Sequence, residues 1–367
     1  MSNLNMNHQK LPERMKAVVI REHGGPEVLH IEEVPLPQPG EGEVLVKVKA
    51  TALNHLDIFA RRGLKGPGVP LVTLPHVSGA DIVGNVVSYG PIENIAEQKN
   101  HPAIGKRVII NSAIGCGVCR YCRNGKTSMC SDYKILGEHY WGGLAEYVVA
   151  PAKNIIEVPD HISSIEAAAI PVVYTTAWNA VVTVGKIKPS DRVLIVGVSG
   201  GVGSAQLQIA VAAGAEVIGV AGSEEKRKKA REFGASAVFD SHSNWEQDVL
   251  EWTNGQGVQL AFDTVGAPTI RRSLNCLDMG GRLVLSGATA GDFPELSIRE
   301  IYQHHRQVLG APMGSWEDFI QVTSLIWRGK LKPIIYQVYP LEEIDKAQTA
   351  LEERKHFGKI VVEIDPS

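Results

Sequence analysis

The chain has 367 residues, of which 44% are hydrophobic and 21% are charged, and its formal net charge is -3. This length predicts two domains, and the composition is typical of an ordinary globular protein. The charge gives no indication of nucleic acid or an anionic membrane as a partner, and no apolar run approaches the ~20 residues that span a bilayer.

The order of strand and helix patterns divides the chain into two domains. Residues 1–14 are polar, lack the apolar segment of a signal peptide, and are predicted to be a disordered tail. Residues 15–159 carry short strand patterns with few helices, interrupted by a predicted exposed loop at 91–105. Residues 160–331 alternate between apolar strands and helices, which indicates a parallel sheet with helices on both faces. Residues 332–367 return to strand patterns and are expected to rejoin the first domain, so the predicted fold class is α/β.

Four cysteines lie close together, with the spacing Cys-x2-Cys-x2-Cys-x7-Cys: Cys116, Cys119, Cys122 and Cys130. Four thiolates at this spacing can complete a tetrahedral Zn²⁺ site without an open position, and such a site holds a loop and performs no chemistry. Two disulfides are the alternative, but nothing else in the chain indicates export. We therefore expect one structural zinc ion and a cytoplasmic protein. The fifth cysteine, Cys276, falls in an apolar helical pattern and is expected in the core.

A glycine-rich turn follows the predicted strand Arg192–Val196 and opens the next helix. Glycine lets the backbone approach a pyrophosphate, and a helix N-terminus presents free N–H groups to it. This strand–turn–helix context favours a dinucleotide site over a plain tight turn. The predicted phosphate-binding residues are Ser199, Gly200, Gly201, Val202 and Gly203.

The end of the next strand, residues 220–223, carries no Asp or Glu, the residue types that hold the ribose diol of NAD. Ser223 is followed by Lys226 and Arg227, and this hydroxyl and two cations suit the 2′-phosphate of NADPH. The alternative is a solvated helix face with glutamate–lysine pairs at i,i+4, and both interpretations can hold at once. The sequence therefore favours NADPH as the cofactor.

The four-cysteine segment, the glycine turn and the closing Gly-Lys-Ile-Val-Val segment together resemble the medium-chain dehydrogenase/reductase superfamily, over nearly the whole chain from Met15. The resemblance implies a GroES-like catalytic domain, a Rossmann cofactor domain and an active site in the cleft between them. We expect a homodimer or homotetramer. The resemblance also implies that Thr176 touches the nicotinamide. Further residues would line the cofactor groove or reach its phosphates: Thr264, Gly266, Ser286, Gly287, Ala288, Gly310, Ala311 and Lys359.

The chain departs from the zinc alcohol dehydrogenases of that superfamily at the catalytic metal, which they hold with a Cys, a His and usually a second Cys. At the positions that match those motifs it has Asn54, His76 and Val172. Asn and Val cannot replace two thiolates, so we expect no tight catalytic zinc. The hydroxyl that relays the alcohol's proton falls on Leu56, which is a second departure from alcohol chemistry.

The resemblance is nearest to the quinone oxidoreductase and enone reductase branch, with the structural zinc segment retained. It implies that Asn54 donates to a substrate oxygen; a structural bond to the backbone is the alternative. His55 would reach the cofactor phosphates. His76 and Asp57 would form a hydrogen-bonded pair, and a satisfied core histidine is the alternative for His76. Further candidates for the substrate pocket are His139 and Tyr140.

The leading hypothesis is an NADPH-dependent reductase that transfers hydride to a small conjugated acceptor such as a quinone, an enone or an enoyl compound. One alternative is a zinc-type alcohol or aldehyde dehydrogenase, which predicts a second zinc ion at His76. Another is a protein that binds NADPH without turnover, like the lens crystallins related to quinone reductases.

Overall fold

The computed structural model describes residues 11–66, 71–91 and 101–366. Its strands are Arg14–Ile20 (β1), Leu29–Pro35 (β2), Glu43–Ala52 (β3), Asp81–Tyr89 (β4), Arg107–Ile110 (β5), Ala113–Ile114 (β6), Lys134–Ile135 (β7), Tyr147–Pro151 (β8), Ile155–Glu157 (β9), Arg192–Val196 (β10), Glu216–Ala221 (β11), Ala237–Asp240 (β12), Val258–Asp263 (β13), Leu277–Leu285 (β14), Gln307–Gly310 (β15), Ile335–Pro340 (β16) and Lys359–Glu363 (β17).

The α-helices are His55–Arg62 (α1), Arg120–Arg123 (α2), Ser164–Ala168 (α3), Pro171–Trp178 (α4), Gly201–Ala212 (α5), Glu224–Glu232 (α6), Trp245–Trp252 (α7), Ala267–Asn275 (α8), Ile298–Gln303 (α9), Trp316–Trp327 (α10) and Ile344–Glu352 (α11). A π-helix, Asn179–Val184, continues α4, and short 3₁₀ turns occupy Pro26–Val28, Thr127–Met129, Ala152–Asn154 and Leu341–Glu343. Within the described residues, none of these helices is long and apolar enough to cross a membrane.

A seven-stranded sheet organises the first part of the chain. Its strand order is β16-β17-β3-β4-β5-β9, and β8 also pairs with β3. The last strand of the chain, β17, pairs antiparallel with β3, so the C-terminal segment belongs to this sheet. Strands β1 and β2 form a separate antiparallel pair beside it. This sheet carries α1 and the four-cysteine segment.

The second sheet has six parallel strands in the order β12-β11-β10-β13-β14-β15. Its central strand, β10, is apolar because helices cover both faces of the sheet, and Leu194 and Ile195 have no exposed surface. The strand order reverses between β10 and β13, and the crevice at such a switch point is where doubly wound sheets bind ligands. The predicted fold class is confirmed.

Helices α3 and α4 join the two sheets through a shared core. Ala167 and Ala168 of α3 are fully buried in a cluster that also contains Val83 of β4 and Leu260 of β13. Proline suits the first turn of a helix, because its missing N–H has no partner there, and α4 begins at Pro171. The shared core fixes one side of the cleft between the sheets.

Two of the sequence predictions fall partly outside the described residues, namely the tail at 1–14 and the loop at 91–105. Within the described part, the predicted tail extends too far: Arg14 opens β1, and the Leu36 N–H donates to the Glu13 carbonyl oxygen at 3.0 Å. The end of α8 places Cys276 in the core with no exposed surface, as its apolar surroundings predicted. The domain boundaries near residues 160 and 332 stay a prediction.

Candidate active site and zinc site

The side chains of Cys116, Cys119, Cys122 and Cys130 converge, with all four sulfur atoms within 4.8 Å of one another. The turns of this segment aim backbone N–H groups at the sulfurs: Cys119 N lies 3.3 Å from Cys116 Sγ, and Cys122 N lies 3.5 Å from Cys119 Sγ. Such N–H groups stabilise thiolates, the form that binds a metal. The donor set therefore fits a closed Zn²⁺ site that holds the segment together.

The structure does not support the alternative of two disulfides. All five cysteines are free, and the Sγ atoms of Cys119 and Cys130 lie 3.9 Å apart, against about 2.05 Å in a disulfide. Backbone N–H groups of Val118 and Cys119 lower the pKa of the Cys116 thiol to about 6, whereas burial raises the pKa of the Cys122 thiol to about 12. The fit to a metal therefore rests on the convergence of the four sulfurs and not on these pKa values.

The glycine turn between β10 and α5 has the geometry of an anion cradle. Gly197 has a φ of 80°, which favours glycine, and a side chain at Gly203 would place its Cβ 2.3 Å from the Gly197 carbonyl oxygen. Helix α5 begins at Gly201 without a side-chain cap, so its first N–H groups stay available. The turn therefore fits the pyrophosphate of a dinucleotide.

A cleft of about 790 Å³ runs between α1 and the carboxyl ends of the second sheet. It brings together most of the predicted cofactor residues, which are Thr176, Ser199, Gly200, Gly201, Val202, Gly203, Ser223, Lys226, Thr264, Ser286, Gly287, Ala288 and Lys359. Asn54 and His55 line it as well. Side chains that sequence reasoning missed also line it, among them Phe59, His242, Met313, Arg354 and His356.

Four predicted cofactor residues lie outside this lining. Arg227 is held by acids, at 2.9 Å from Asp240 and 3.0 Å from Glu224, so its charge is already neutralised. Of the other three, Gly266 takes a φ of 101° at the start of α8, Gly310 ends the edge strand β15, and Ala311 is 1% exposed. That these four contact the cofactor stays a prediction.

The predicted 2′-phosphate end of the cleft keeps a hydroxyl and cations. Ser223 caps α6, where its Oγ accepts from the Lys226 N–H at 3.4 Å. The Lys226 ammonium donates to the Arg354 carbonyl oxygen, and burial lowers the pKa of Lys226. No carboxylate follows β11 in this turn, which runs Ala221-Gly222-Ser223. Ser223, Lys226 and Arg354 all line this end of the cleft.

Lys359 does not reach toward the phosphates, contrary to the prediction. Its Nζ lies 2.9 Å from Asp81 Oδ2, 2.6 Å from Asn54 Oδ1 and 2.6 Å from the Leu53 carbonyl oxygen. An ammonium has three hydrogens, so these partners use all of them. Only the alkyl stem passes the glycine turn, where a Cβ added at Gly201 would lie 2.9 Å from Lys359 Cδ.

Asn54 also faces inward, so the prediction that its amide donates to a substrate oxygen is corrected. Its Nδ2 donates to Asp81 Oδ2 at 2.9 Å and to the Ala52 carbonyl oxygen at 3.3 Å, and its Oδ1 accepts from Lys359. The residue is 8% exposed and caps α1. Its side chain holds the buried charges in place, which agrees with the structural alternative.

The predicted pair between His76 and Asp57 does not form. The Asp57 carboxylate accepts from Asn54 N at 2.7 Å and from Gly79 N at 2.9 Å, and burial raises its pKa to about 6. His76 Nε2 lies 3.0 Å from the Gly137 carbonyl oxygen, and the residue is 2% exposed, away from the cleft lining. His76 is thus a satisfied core histidine.

The residues that meet Asn54 and Val172 are Ala80 and Asp81. Val172 N donates to Asp81 Oδ1 at 2.6 Å, and Ala80 packs against Val172. Asp81 and its neighbour Ala80, and not His76, therefore adjoin Asn54 and Val172. A methyl group, an engaged amide and a valine side chain offer no metal ligand, and this part of the cleft does not fit a catalytic zinc ion. Among the described residues, the four cysteines are the one cluster of three or more potential ligand groups close enough to share an ion.

The two remaining predicted pocket residues lie elsewhere. Tyr140 lines a separate groove on the outer face of the first sheet, and the ring of His139 accepts from the Ile135 N–H at 3.1 Å. His55, by contrast, does line the cleft, at the start of α1. Burial, with Arg354 and Lys359 nearby, lowers the pKa of His55 to about 4, so its ring is neutral at pH 7.

Comparison with known proteins agrees with this architecture. The alcohol dehydrogenase GroES-like domain family matches residues 40–160, and the zinc-binding dehydrogenase family matches residues 201–328. An NAD-dependent alcohol dehydrogenase of Sulfolobus acidocaldarius is 34% identical over 95% of this chain and 100% of its own length. The chain belongs to the medium-chain dehydrogenase/reductase superfamily.

Relatives within this superfamily include proteins with different substrates. An acryloyl-coenzyme A reductase of Sulfurisphaera tokodaii is 30% identical over 95% of this chain and 99% of its own length. A solved structure of an NAD-dependent alcohol dehydrogenase superposes with a TM-score of 0.88 at 40% identity, covering 95% of this chain and 100% of that one. This medium-chain protein is therefore an oxidoreductase.

Proposed function

We propose that this protein is an NADPH-dependent reductase of small conjugated acceptors, such as quinones, enones or enoyl thioesters. NADPH supplies the hydride when bound, and the protein supplies orientation and a dry, shaped cleft. One observation carries the proposal: the buried network of Asp81, Lys359 and Asn54 fills the place where a catalytic metal would need ligands.

The chemistry follows from the walls of the cleft. Leu56, Phe59, Val172 and Met313 line its substrate end, and the Lys359 ammonium is fully engaged beneath them. Reduction of a saturated aldehyde builds a localised alkoxide, which needs a Lewis acid or a nearby proton donor. A conjugated acceptor spreads the developing charge, so one or two hydrogen bonds suffice. An apolar cleft in which Asn54, Ala80 and Val172 offer no metal ligand set therefore favours conjugated acceptors.

Different residues of the chain would bind the pyrophosphate, the 2′-phosphate and the nicotinamide of the cofactor. The glycine turn and the first N–H groups of α5 would hold the pyrophosphate. Ser223 and Lys226 would hold the 2′-phosphate, and this is the basis for proposing NADPH over NADH. Thr176, which is 5% exposed and lines the cleft, would contact the nicotinamide.

The relatives support two candidate reactions. The acryloyl-coenzyme A reductase of Sulfurisphaera tokodaii acts, by its name, on a conjugated thioester. This relative favours enoyl thioesters among the proposed acceptors. The alcohol dehydrogenase of Sulfolobus acidocaldarius, at 34% identity, favours a zinc-type alcohol dehydrogenase instead. That alternative needs a metal ligand set in the cleft, and Asn54, Ala80 and Val172 do not provide one.

A homodimer is the assembly that the structure supports best. Strand β15, Gln307–Gly310, is the edge of the second sheet, and its Val308 is 39% exposed. Nearby side chains are more exposed still, with Phe293 at 84%, Ile298 at 77% and Tyr302 at 60%. An unpaired edge flanked by apolar groups suits pairing with a second copy. Light scattering should report a dimer, and Val308→Lys should yield monomers.

The location proposed is the cytoplasm, because reduced cysteines persist in a reducing compartment.

The proposed reaction is tested by following NADPH oxidation with a matched pair of acceptors, an enal and its saturated aldehyde, and with an enone, a quinone and an enoyl thioester. We expect turnover of at least one conjugated acceptor, exceeding that of the saturated aldehyde by orders of magnitude. Efficient oxidation of a simple alcohol would favour the dehydrogenase instead. Cofactor binding without turnover of any acceptor would favour a binding protein.

A further inference from the structure

The segment Leu351–Lys359, here called the strap, crosses the cofactor cleft. Its Gly358 N–H donates to the Ser199 carbonyl oxygen at 2.9 Å, which ties it to the glycine turn. Its Arg354 Nη2 donates to the Thr289 carbonyl oxygen at 3.3 Å, beyond the end of β14. The strap therefore lies over the carboxyl ends of the parallel strands, opposite the turn that cradles the pyrophosphate.

One side chain of the strap that lines the cleft has an unmet hydrogen-bonding group. His356 lines the cleft and is 5% exposed. Its Nδ1 is buried, and no atom of the described residues forms a hydrogen bond with it. Leaving a buried polar atom unpaired is unfavourable. Such an atom in a ligand cleft indicates a partner that arrives with the ligand.

Cationic side chains on the same cleft favour an anion as that partner. Lys226 of α6 and Arg354 of the strap both line the cleft, and the Lys226 ammonium donates to the Arg354 carbonyl oxygen. Burial and nearby positive charges lower the pKa of His356 to about 3, so the ring is neutral at pH 7 and can carry its one proton on Nδ1. The strap is tied to the glycine turn only two residues further on, at Gly358, so a neutral donor at His356 suits a phosphate oxygen.

We propose that His356 is a positioning residue for the cofactor, and that its Nδ1–H donates to the pyrophosphate of the bound dinucleotide. The inference rests on the proposed function, since it requires that the chain bind NADPH. The pyrophosphate would then be held from two sides, by the glycine turn of the second sheet and by the strap of the first. Cofactor binding would thereby hold the two sheets at a fixed separation.

The test compares His356→Leu, which removes the donor, with His356→Asn, whose amide reaches the position of Nδ1. The control is His30→Asn, on the exposed face of β2. Dissociation constants are measured by calorimetry for NADPH, NADH and adenosine 2′-monophosphate, which lacks both phosphates of the pyrophosphate. We expect His356→Leu to weaken NADPH and NADH alike by about tenfold or more, and His356→Asn to recover most of the loss. Binding of the monophosphate should not change.

Several outcomes would overturn the inference: unchanged NADPH binding in His356→Leu, a loss of binding by adenosine 2′-monophosphate as large as the loss by NADPH, or equal losses in the Leu and Asn variants. If the unmodified protein binds neither dinucleotide, the proposed function fails as well, so the two failures are distinguishable. Should His356→Leu not fold, the ¹⁵N resonance of His356 Nδ1 in the unmodified protein decides. It should move when NADPH is added, and an unmoved resonance would overturn the inference.

Discussion

The four-cysteine segment and the centre of the cleft differ in the metal ligands that they offer. The first keeps four converging sulfurs, whereas the second has Asn54, Ala80 and Val172 arranged around the Asp81–Lys359 pair. A structural metal contributes directly to folding, so its loss costs stability. A catalytic metal contributes to chemistry, and its ligands can be replaced if the reaction no longer needs a Lewis acid. The difference supports the proposal that zinc serves the folding of this chain and not its reaction.

The largest expected effect comes from the cysteine segment. Cys119→Ser should lower the zinc content from one ion per chain to none, because three remaining thiolates no longer close the site. The segment 116–130 should then become open to proteolysis, since metal binding supplies its folding free energy, on the order of 10 kcal/mol in small zinc modules. Elemental analysis and limited proteolysis measure both. Cys276→Ala, outside the site, should keep its zinc; a Cys119→Ser protein that retained zinc would contradict the comparison.

The second-largest expected effect is on the free energy of unfolding, and it comes from the buried ion pair between Asp81 and Lys359. Lys359→Met leaves the Asp81 carboxylate without a counter-charge at 0% exposure, which should cost about 3–5 kcal/mol of unfolding free energy. The control is Lys106→Met, which breaks an exposed 2.7 Å pair with Glu157 and should cost about 0–1 kcal/mol. Urea unfolding compares the two. Equal costs would mean that Asp81 and Lys359 are not the buried pair described.

Titration of His356 in the cleft should make the free energy of unfolding depend on pH, whereas titration of the exposed His30 should not. The pKa of His356 is about 3 in the folded chain against about 6.5 unfolded, so the unfolded chain binds the extra proton as pH falls below 6.5. Stability from this group is complete above pH 6.5, and about 2 kcal/mol is lost by pH 5. Urea unfolding of His356→Asn should show a shallower decline between pH 7 and 5. His30→Asn should keep the original slope, and identical slopes in all three proteins would exclude the buried histidine as the cause.

The smallest effect concerns cofactor choice. Lys226→Ala should weaken NADPH binding by about tenfold, the contribution of one charge-assisted hydrogen bond, and leave NADH binding nearly unchanged. Lys228→Ala, on the exposed surface of the same helix, is the matched control. Fluorescence titration with both cofactors measures the preference. An unmodified protein that binds both equally well would remove the basis for proposing a 2′-phosphate site at Ser223.

Local patterns in the sequence were sufficient to predict the fold and the two sites that depend on short-range geometry. The cysteine spacing places four sulfurs within one segment, and the glycine turn between a strand and a helix places free N–H groups at one end of the sheet. In both cases the partners lie within a few residues of one another, so the backbone alone brings them together.

The buried network of Asn54, Asp81 and Lys359 at the centre of the cleft could not be predicted in the same way, because its residues are distant from one another in the sequence. Lys359 and Asn54 are 305 residues apart, and no local pattern indicates that the ammonium turns inward and not toward the phosphates. The metal-ligand position of the motif was assigned to His76 because that residue is a histidine. In the structure Asp81 and its neighbour Ala80 adjoin Asn54 and Val172 instead. One signal was available: Asp81 opens an apolar strand, and a buried carboxylate there requires a partner.

The most direct test of the account is activity measured together with metal content. The protein is treated with a chelator until the zinc content is constant, and NADPH oxidation with an enone is compared before and after. We predict one zinc ion per chain throughout and unchanged turnover, because the cleft around Asp81 and Lys359 binds no metal. A second zinc ion that leaves together with the activity would contradict the central claim.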